Sequence, residues 1–279
     1  MNYNLQLRRL QLVELEILKK VANFCEKNSI KYSLCSGTLL GAVRHKGFIP
    51  WDDDIDICML REDYNKFINL WNVKPVQGLI IQNHKNTPLF KQTFTKIRKD
   101  HTTILLNAQK TASYHTGIFI DIFPVDRIPK GFISKRVYWF CCAECHLLLR
   151  GFMPNDRSNF IVRLFCNLLL YVYKGKSREL KIEDLLQTIT KYNDDLTLPL
   201  VFTDTTTTMK RALPSHLFEE MCFLQFEDAR FMCFKDWDAE LRCEFGDYMK
   251  LPPVEQRKPP HFPEVLDFEH NYDELGFDD

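Results

Sequence analysis

Carboxylates that alternate with isoleucines are the residues of this sequence whose spacing could support chemistry. Asp54 and Asp56 flank Ile55, and Ile57 follows. Successive side chains of an extended strand point to opposite faces, so the two aspartates would share one face and the two isoleucines the other. Asp52 would join the acidic face if the strand begins that early. Carboxylates this close repel each other and need a cation between them. A hard divalent ion meets that need and commonly binds phosphate as well, which indicates Mg²⁺, with Mn²⁺ as the alternative.

An acidic turn in front of a strand is the simpler explanation of the same pattern. Two features favour a site. The isoleucine face indicates a packed strand, whose aspartate face then lines something other than open solvent. Arg44, His45 and Lys46 lie a few residues upstream, where they could meet the diphosphate of a nucleotide. Metal-assisted phosphoryl chemistry is the resulting hypothesis.

Asp121 is the candidate for a third metal ligand. It lies within the most apolar strand pattern of the chain, Gly117 to Pro124, and we expect Pro124 to end that strand. An ionised aspartate there is costly unless it is paired or metal-bound. We expect it beside Asp54 and Asp56, where one or two ions could bridge a diphosphate. The alternative is an ion pair with Arg127 at the exposed end of the strand.

Lys96 and Arg98 should share one face of another strand, opposite Thr95 and Ile97. A cationic stripe of this kind is either ordinary surface or a phosphate clamp. It becomes a clamp if its strand borders the aspartates.

Composition limits the class of partner. The chain has 279 residues with 37 Lys plus Arg and 37 Asp plus Glu, so its formal net charge is zero. Binding of a nucleic-acid polymer requires a net basic surface, so we expect no nucleic-acid partner. The first residues lack the apolar core and cleavage site of a signal peptide, and the ten cysteines therefore indicate reduced thiols. We expect a cytoplasmic protein.

Three helices are predicted after Phe132, over Ile133 to Leu149, Asn159 to Tyr173 and Ser177 to Tyr192. The first two are apolar, but neither has the ~20 uninterrupted apolar residues of a membrane span. They suit the core or an in-plane contact, so peripheral attachment at the inner face of a membrane stays open. The first also contains a C-x-x-C-H pattern, Cys142 to His146. Haem attachment needs an exported setting and zinc needs a second Cys/His pair, so we expect buried cysteines.

The chain divides into four predicted segments. Residues 1–130 form the core with an N-terminal helix over Leu5 to Lys27, and residues 131–195 form a helical insert. Residues 196–263 complete the main body. Residues 264–279 are a tail with seven acids and no Lys or Arg, which we expect to be mobile.

Several motifs occur together in a known order. They are SGTLLGAVR at Ser36–Arg44, WDDDID at Trp51–Asp56, FTKIR at Phe94–Arg98, the strand Gly117–Asp126 and EFGDYMKLPP at Glu244–Pro253. With these motifs the chain closely resembles the LicD family, relatives of fukutin within the nucleotidyltransferase superfamily. The resemblance covers approximately residues 20 to 260.

The resemblance implies an α/β (α+β) fold, with a nucleotidyltransferase-like mixed sheet flanked by helices and carrying the helical insert. It implies that Ser36 and Gly37 form the substrate-side turn, and that Asp54, Asp56 and Asp121 hold Mg²⁺. Thr38, also a substrate-binding candidate, is expected to cap the short helix that ends at Val43. LicD proteins move phosphocholine from CDP-choline onto surface glycans such as teichoic acid or lipopolysaccharide. Fukutin relatives move polyol phosphates from CDP-polyols.

The sequence therefore predicts a Mg²⁺-dependent transferase. A hydroxyl of a glycan acceptor would attack the phosphorus next to choline, or a related alcohol, in a CDP-linked donor and release CMP. Asp121 would bind metal or help to deprotonate the acceptor. Arg44, His45, Lys96 and Arg98 would bind the diphosphate, and an aromatic face would meet the quaternary ammonium. The aromatic candidates are Trp51, Tyr114, Trp139 and Trp237.

Two rival functions remain open from the residues alone. A true nucleotidyltransferase would use the same metal site to move the nucleoside monophosphate itself. A non-catalytic nucleotide-binding protein of a glycan-assembly complex would bind without turnover.

Overall fold

The chain packs as two compact units. A computed structural model describes residues 3–87, 90–106, 114–153, 159–205, 208–259 and 263–276. The first unit comprises Met1–Gln82, Thr95–Phe123 and His216–Asp279, and the second comprises Asn83–Phe94 and Pro124–Ser215. The four segments predicted from sequence stay a prediction. Within the described residues, none of the helices combines the length and apolarity needed to cross a membrane.

The described part contains ten strands and seven α-helices. The strands are β1 (Ser33–Leu34), β2 (Asp56–Leu60), β3 (Leu79–Gln82), β4 (Thr95–Lys99), β5 (Thr103–Leu105), β6 (Phe119–Arg127), β7 (Leu200–Phe202), β8 (Met221–Phe226), β9 (Ala229–Phe234) and β10 (Val265–Asp267). The helices are α1 (Tyr3–Lys27), α2 (Ser36–Arg44), α3 (Arg61–Val73), α4 (Phe132–Arg150), α5 (Phe160–Val172), α6 (Gly175–Thr190) and α7 (Trp237–Phe245).

One mixed sheet carries the site. Its strand order is β1–β2–β6–β4–β3, and β7 pairs with the last residues of β6. The β1/β2, β3/β4 and β4/β6 pairs are antiparallel. This architecture confirms the predicted α/β (α+β) class with a mixed sheet flanked by helices.

Apolar residues at helical spacing fix α1 and α3 in the first unit. Leu10, Ile17 and Val21 of α1 are fully buried. The rings of Phe67 and Trp71 on α3 have centroids 5.1 Å apart, and Phe24 of α1 packs against both. The N-terminal helix predicted over Leu5 to Lys27 is therefore confirmed.

The expectation that Pro124 ends its strand is wrong, because β6 continues to Arg127. Proline interrupts a sheet by lacking an N–H donor, and it is tolerated where no partner needs that donor. The pairing of β4 with β6 ends at Ile122, and that of β7 with β6 begins at Val125. Pro124 thus falls between two partner strands.

Part of the acidic tail forms a strand, and the expected mobility of the tail stays a prediction. Val265–Asp267 forms β10, which pairs antiparallel with β5, and residues 277–279 lie outside the described residues. The sequence reasoning also missed the β8–β9 hairpin. Helix α2 begins at Ser36, so Thr38 lies within the helix and is not its cap.

The second unit is built on α4, α6 and β7. Its core includes Tyr138, Cys142 and Cys145 of α4 together with Leu185 of α6. The three predicted helices are confirmed to within two residues at each end. The two cysteines of the C-x-x-C-H pattern are core residues, as expected, and His146 Nε2 lies 3.0 Å from the carbonyl oxygen of Thr203.

Candidate active site

An acidic stretch enters the sheet at β2. The Asp52 N–H donates a hydrogen bond to the Ile49 carbonyl (2.9 Å), and this turn leads into the extended chain. Carboxylate oxygens of Asp52, Asp53 and Asp54 all lie within 4.8 Å of one another. Asp56 then begins β2. Asp52, the conditional member of the predicted acidic face, therefore belongs to the acidic group, and the structure adds Asp53.

Asp121 lies beside this stretch, as predicted. Its backbone N–H donates to the carbonyl of Ile55 (2.9 Å), the residue between Asp54 and Asp56. Ile55 is fully buried between the half-buried Asp54 and Asp56, as the alternation predicts, whereas Ile120 and Asp121 are both buried. The predicted metal ligands are thus neighbours in space.

The charges of this group act on one another. Burial raises the pKa of Asp56 well above its ordinary value, and the negative charges of Asp54, Asp121 and Asp52 raise it further. Lys96 opposes that shift. A bound cation would remove this electrostatic penalty.

Lys96 is the cation that meets the group directly. Its Nζ donates to both carboxylate oxygens of Asp121, at 2.6 and 2.8 Å, and lies 3.4 Å from the centroid of the Phe119 ring. Strand β4 pairs Lys96 opposite Asp121 in β6, so the cationic face does border the aspartates. The alternative pairing of Asp121 with Arg127 is wrong, because Arg127 Nη1 donates to carbonyls in the second unit.

Arg98 shares that strand face but lies deeper. It is fully buried, its Nε donates to Gln82 Oε1 and its Nη1 to the Gly117 carbonyl, both at 2.7 Å. Its guanidinium also lies over the Phe119 ring. These contacts fix the position of the Arg98 side chain. Its role in diphosphate binding stays a prediction.

Glu14 is an acidic residue of the site that the sequence reasoning missed. It is buried, and its Oε2 has no hydrogen-bond partner among the described residues. Burial raises its pKa well above the ordinary value, with further contributions from Asp54, Asp53 and Asp52. The signal was available, since Glu14 lies within the apolar stripe of α1, four residues after Leu10.

The first turn of α2 is fixed against the acidic stretch. Thr38 Oγ1 accepts a hydrogen bond from the Asp56 N–H (2.8 Å). A Cβ on Gly37 would lie 2.9 Å from Asp52 Oδ2, so a larger residue there would displace the Asp52 carboxylate. The Ser36 N–H donates to Oε1 of the buried Glu240 (3.0 Å). Burial and the neighbouring Glu244 raise the pKa of Glu240 to about 8.

A basic patch made of Arg44, His45 and Arg257 lies next to Trp51, the residue that precedes the acidic stretch. Arg44 Nη1 donates to the Tyr248 carbonyl (2.6 Å), and the ring of His45 stands edge-on to Trp51 at 6.4 Å. The Arg257 guanidinium lies 5.7 Å from the centroid of the Trp51 ring. Burial lowers the pKa of Arg44, and the nearby Arg257 lowers it further. Two guanidiniums in mutual repulsion favour an anion between them.

Of the four aromatic candidates, Trp51 immediately precedes the acidic stretch. Trp237 packs edge-on against Tyr248, and Trp139 belongs to the second unit, where its Nε1 donates to the Met209 carbonyl. Tyr114 is partly exposed. Trp51 is therefore the best placed of them to meet a donor head group near the aspartates.

The donor set fits a hard divalent ion. It consists of carboxylate oxygens, with three aspartates in mutual reach and Asp56, Asp121 and Glu14 close enough to perturb one another. Oxygen ligands and an excess of negative charge are what Mg²⁺ requires. Buried Glu14 Oε2, which lacks a hydrogen-bond partner within the described residues, is a further sign that a cation is needed.

Known proteins match this chain over its site and beyond. Residues 29–141 match the LicD/FKTN/FKRP nucleotidyltransferase domain. The chain is 32% identical over 274 residues to the lipopolysaccharide cholinephosphotransferase LicD of Haemophilus influenzae, covering 94% of this chain and 98% of that protein. Uncharacterized proteins of Rickettsia prowazekii and Rickettsia typhi are each 54% identical over 48 residues, 17% of this chain and 18% and 16% of theirs. The chain belongs to the LicD family of phosphotransferases.

Proposed function

We propose that this enzyme transfers phosphocholine from CDP-choline to a hydroxyl group of lipopolysaccharide or a related surface glycan, and releases CMP. The observation that carries the proposal is the identity to a lipopolysaccharide cholinephosphotransferase along nearly the whole chain. The acidic group beside a basic patch supports a diphosphate-linked donor. Teichoic acid is a second acceptor of the same chemical kind.

Asp54 and Asp56 would hold Mg²⁺, with Mn²⁺ as the alternative ion, and Asp121 would either bind the ion with them or act as the base. When bound, the ion supplies positive charge to the phosphoryl group that is transferred. Lys96 orients Asp121 by binding both of its carboxylate oxygens. An oriented carboxylate next to the reacting phosphorus can accept the proton of the acceptor hydroxyl.

The transfer is a single in-line displacement at phosphorus. A new bond forms between the acceptor oxygen and the phosphorus that carries choline, and the bond from that phosphorus to the oxygen of CMP breaks. The proton of the hydroxyl goes to Asp121, and the negative charge of the leaving phosphate develops on CMP. Arg44, His45 and Arg257 would stabilise that charge, because cations that face a developing charge lower the barrier.

The free thiols support a reducing compartment. All ten cysteines lie within the described residues, and none of them forms a disulfide bond there. Disulfides persist mainly in oxidising compartments, so we propose that the enzyme acts in the cytoplasm.

Mass spectrometry tests the proposal. Purified enzyme is incubated with lipopolysaccharide and with CDP-choline, CDP-ethanolamine or CDP-ribitol, in Mg²⁺ or in EDTA. We expect Mg²⁺-dependent CMP release from CDP-choline and a matching mass increase of the acceptor. CMP release from another donor alone would reassign the head group. In a parallel incubation with CTP as the donor, transfer of CMP to the acceptor with release of pyrophosphate would instead establish nucleotidyl transfer.

Arg257 should contribute to donor binding. Arg257→Gln removes the cation over Trp51 while it keeps a polar side chain of similar length. A charge-assisted hydrogen bond contributes about 1.5–3 kcal/mol, so we expect the KM for the donor to rise about tenfold or more, with a smaller change in kcat. Arg242→Gln is the matched control, because Arg242 is exposed on α7 and pairs with Asp238. An unchanged KM in Arg257→Gln would exclude Arg257 from the donor site.

A further inference from the structure

Helix α5 of the second unit is apolar except for one narrow polar stripe, and none of its residues is buried. Among its 13 residues only Arg163 and Asn167 are polar. Phe160 is 77% exposed and Leu164 is 61% exposed. A helix with so wide an apolar surface normally packs it against a protein core or a membrane. Exposure of this extent therefore indicates a surface that something covers.

The exposed face continues onto α4. Ile133, Val137 and Phe140 are exposed there at spacings of four and three residues, which places them on one face of the helix. The ring centroids of Phe140 and Phe165 are 5.9 Å apart, so the two helices present one continuous surface. We call it the α4–α5 apolar surface, made of Ile133, Val137 and Phe140 of α4 with Phe160, Leu164 and Leu168 of α5.

Basic residues outnumber acidic ones in the segment that carries this surface. Residues 130–190 contain ten Lys or Arg and five Asp or Glu, whereas the whole chain has equal numbers of both. Two of the cations lie on exposed aromatic rings. The Arg136 guanidinium is 4.3 Å from the Phe132 ring centroid, and Lys174 Nζ is 4.6 Å from that of Tyr171. Basic side chains next to exposed aromatic and aliphatic ones are typical of helices at the surface of an anionic bilayer.

The length of α5 suits an in-plane position. Thirteen residues at ~1.5 Å each make a helix of about 20 Å, shorter than the ~30 Å hydrocarbon core of a bilayer. A second copy of the chain is a less suitable occupant. A two-fold contact brings the same patch of each copy together, which would place the two sets of cations against each other. Anionic lipid complements both the apolar face and its charge.

We propose that the α4–α5 apolar surface docks the enzyme in the plane of an anionic phospholipid bilayer. Leu164 and Leu168 enter the acyl boundary, and Arg136, Arg163 and Lys174 meet the lipid phosphates. This inference does not depend on which group the enzyme transfers, because the surface lies on helices of the second unit and needs no donor to bind lipid.

Vesicle flotation tests the proposal with the full chain and no nucleotide. Vesicles of phosphatidylglycerol and phosphatidylethanolamine are compared with vesicles of phosphatidylcholine. We expect flotation with the anionic vesicles, at least tenfold weaker binding to phosphatidylcholine, and a decrease at high salt. Leu164→Asp with Leu168→Asp should lower the partition coefficient on anionic vesicles at least tenfold, since each change removes an apolar side chain from the bilayer.

A matched control separates the surface from general hydrophobicity. Leu196→Asp with Val254→Asp changes two apolar residues that are 68% and 71% exposed elsewhere, and it should leave flotation unchanged. Circular dichroism should be the same for all variants, because the substituted side chains are exposed. Failure of the wild-type chain to float, or equal flotation of the Leu164/Leu168 variant, overturns the proposal. A vesicle-free dimer that the Leu164/Leu168 variant dissociates would also overturn it and assign the surface to a second copy.

Discussion

Asp56→Asn is expected to lower kcat for phosphocholine transfer by about 10³-fold, equivalent to about 4 kcal/mol of transition-state stabilisation. Asparagine keeps the shape of the side chain but removes the charge that would bind the ion. The same change should stabilise the ion-free fold. Burial and three neighbouring carboxylates raise the pKa of Asp56, which means that its ionised form destabilises the folded state.

Asp56→Asn is therefore expected to lower kcat but to raise the stability of the ion-free protein, and these two effects can be measured separately. In EDTA the stability of the wild type should fall as the pH rises from the ordinary value of Asp56 towards its raised folded value, because the folded state binds that proton more tightly. The variant should lack this dependence and melt at a higher temperature near neutral pH. Mg²⁺ should raise the Tm of the wild type but have little effect on the variant.

The surface residue Asp228 supplies the control for this experiment. It pairs with Lys19 on the exposed side of the first unit, and Asp228→Asn should change neither the turnover nor the response to Mg²⁺. Near-normal turnover in a folded Asp56→Asn protein would exclude the metal site. Loss of turnover together with a lower Tm in EDTA would indicate a packing role for Asp56 in place of an electrostatic one.

Strand periodicity explains why the acidic residues were predictable. Ile55 lies between Asp54 and Asp56, and Ile120 directly precedes Asp121. Because side chains alternate along an extended chain, burial of each isoleucine places the neighbouring aspartates on the opposite face. The sequence could not tell which strands are neighbours. The pairing of Lys96 with Asp121 depends on the β4/β6 register, and only the assembled sheet reveals it.

The residues that were missed lack such periodicity. Arg257 follows the irregular arm that begins at Pro252, where no repeating pattern indicates the direction of a side chain. Its Nε donates to the Pro252 carbonyl (2.9 Å), a local contact that brings the guanidinium over Trp51. Glu14 was missed for another reason, because an acidic residue in a helical stripe is usually read as a solvated edge.

Lys96→Met is the second substitution for which we expect a large effect, because Lys96 balances the charge of the aspartates at the sheet. The pair of Lys96 with Asp121 is largely buried, with side-chain exposures of 10% and 12%. Removing one partner of a buried ion pair costs about 3–5 kcal/mol because it leaves the other charge uncompensated. We therefore expect a large fall in Tm in EDTA and at least a hundredfold loss of turnover, since Asp121 loses its orientation.

If Lys96 balances the acidic group, a divalent ion should partly replace it. The Tm increase produced by Mg²⁺ should then be larger in Lys96→Met than in the wild type, although turnover stays low. Lys96→Met combined with Asp121→Asn should be more stable in EDTA than Lys96→Met alone, because no uncompensated charge remains at Asp121. Equal destabilisation by the single and double variants would show that Lys96 acts by packing on Phe119.

Lys99→Met is the control on the same strand. Lys99 pairs with Glu16, whose side chain is 45% exposed, and a surface pair of this kind contributes at most about 1 kcal/mol. Its loss should cause a small fall in Tm that Mg²⁺ does not correct. A fall in Tm as large as that of Lys96→Met would place the effect in β4 as a whole. If Lys99→Met causes only a small fall in Tm, the large fall in Lys96→Met results from loss of the Lys96 charge beside the aspartates. A divalent ion would supply positive charge at the same place.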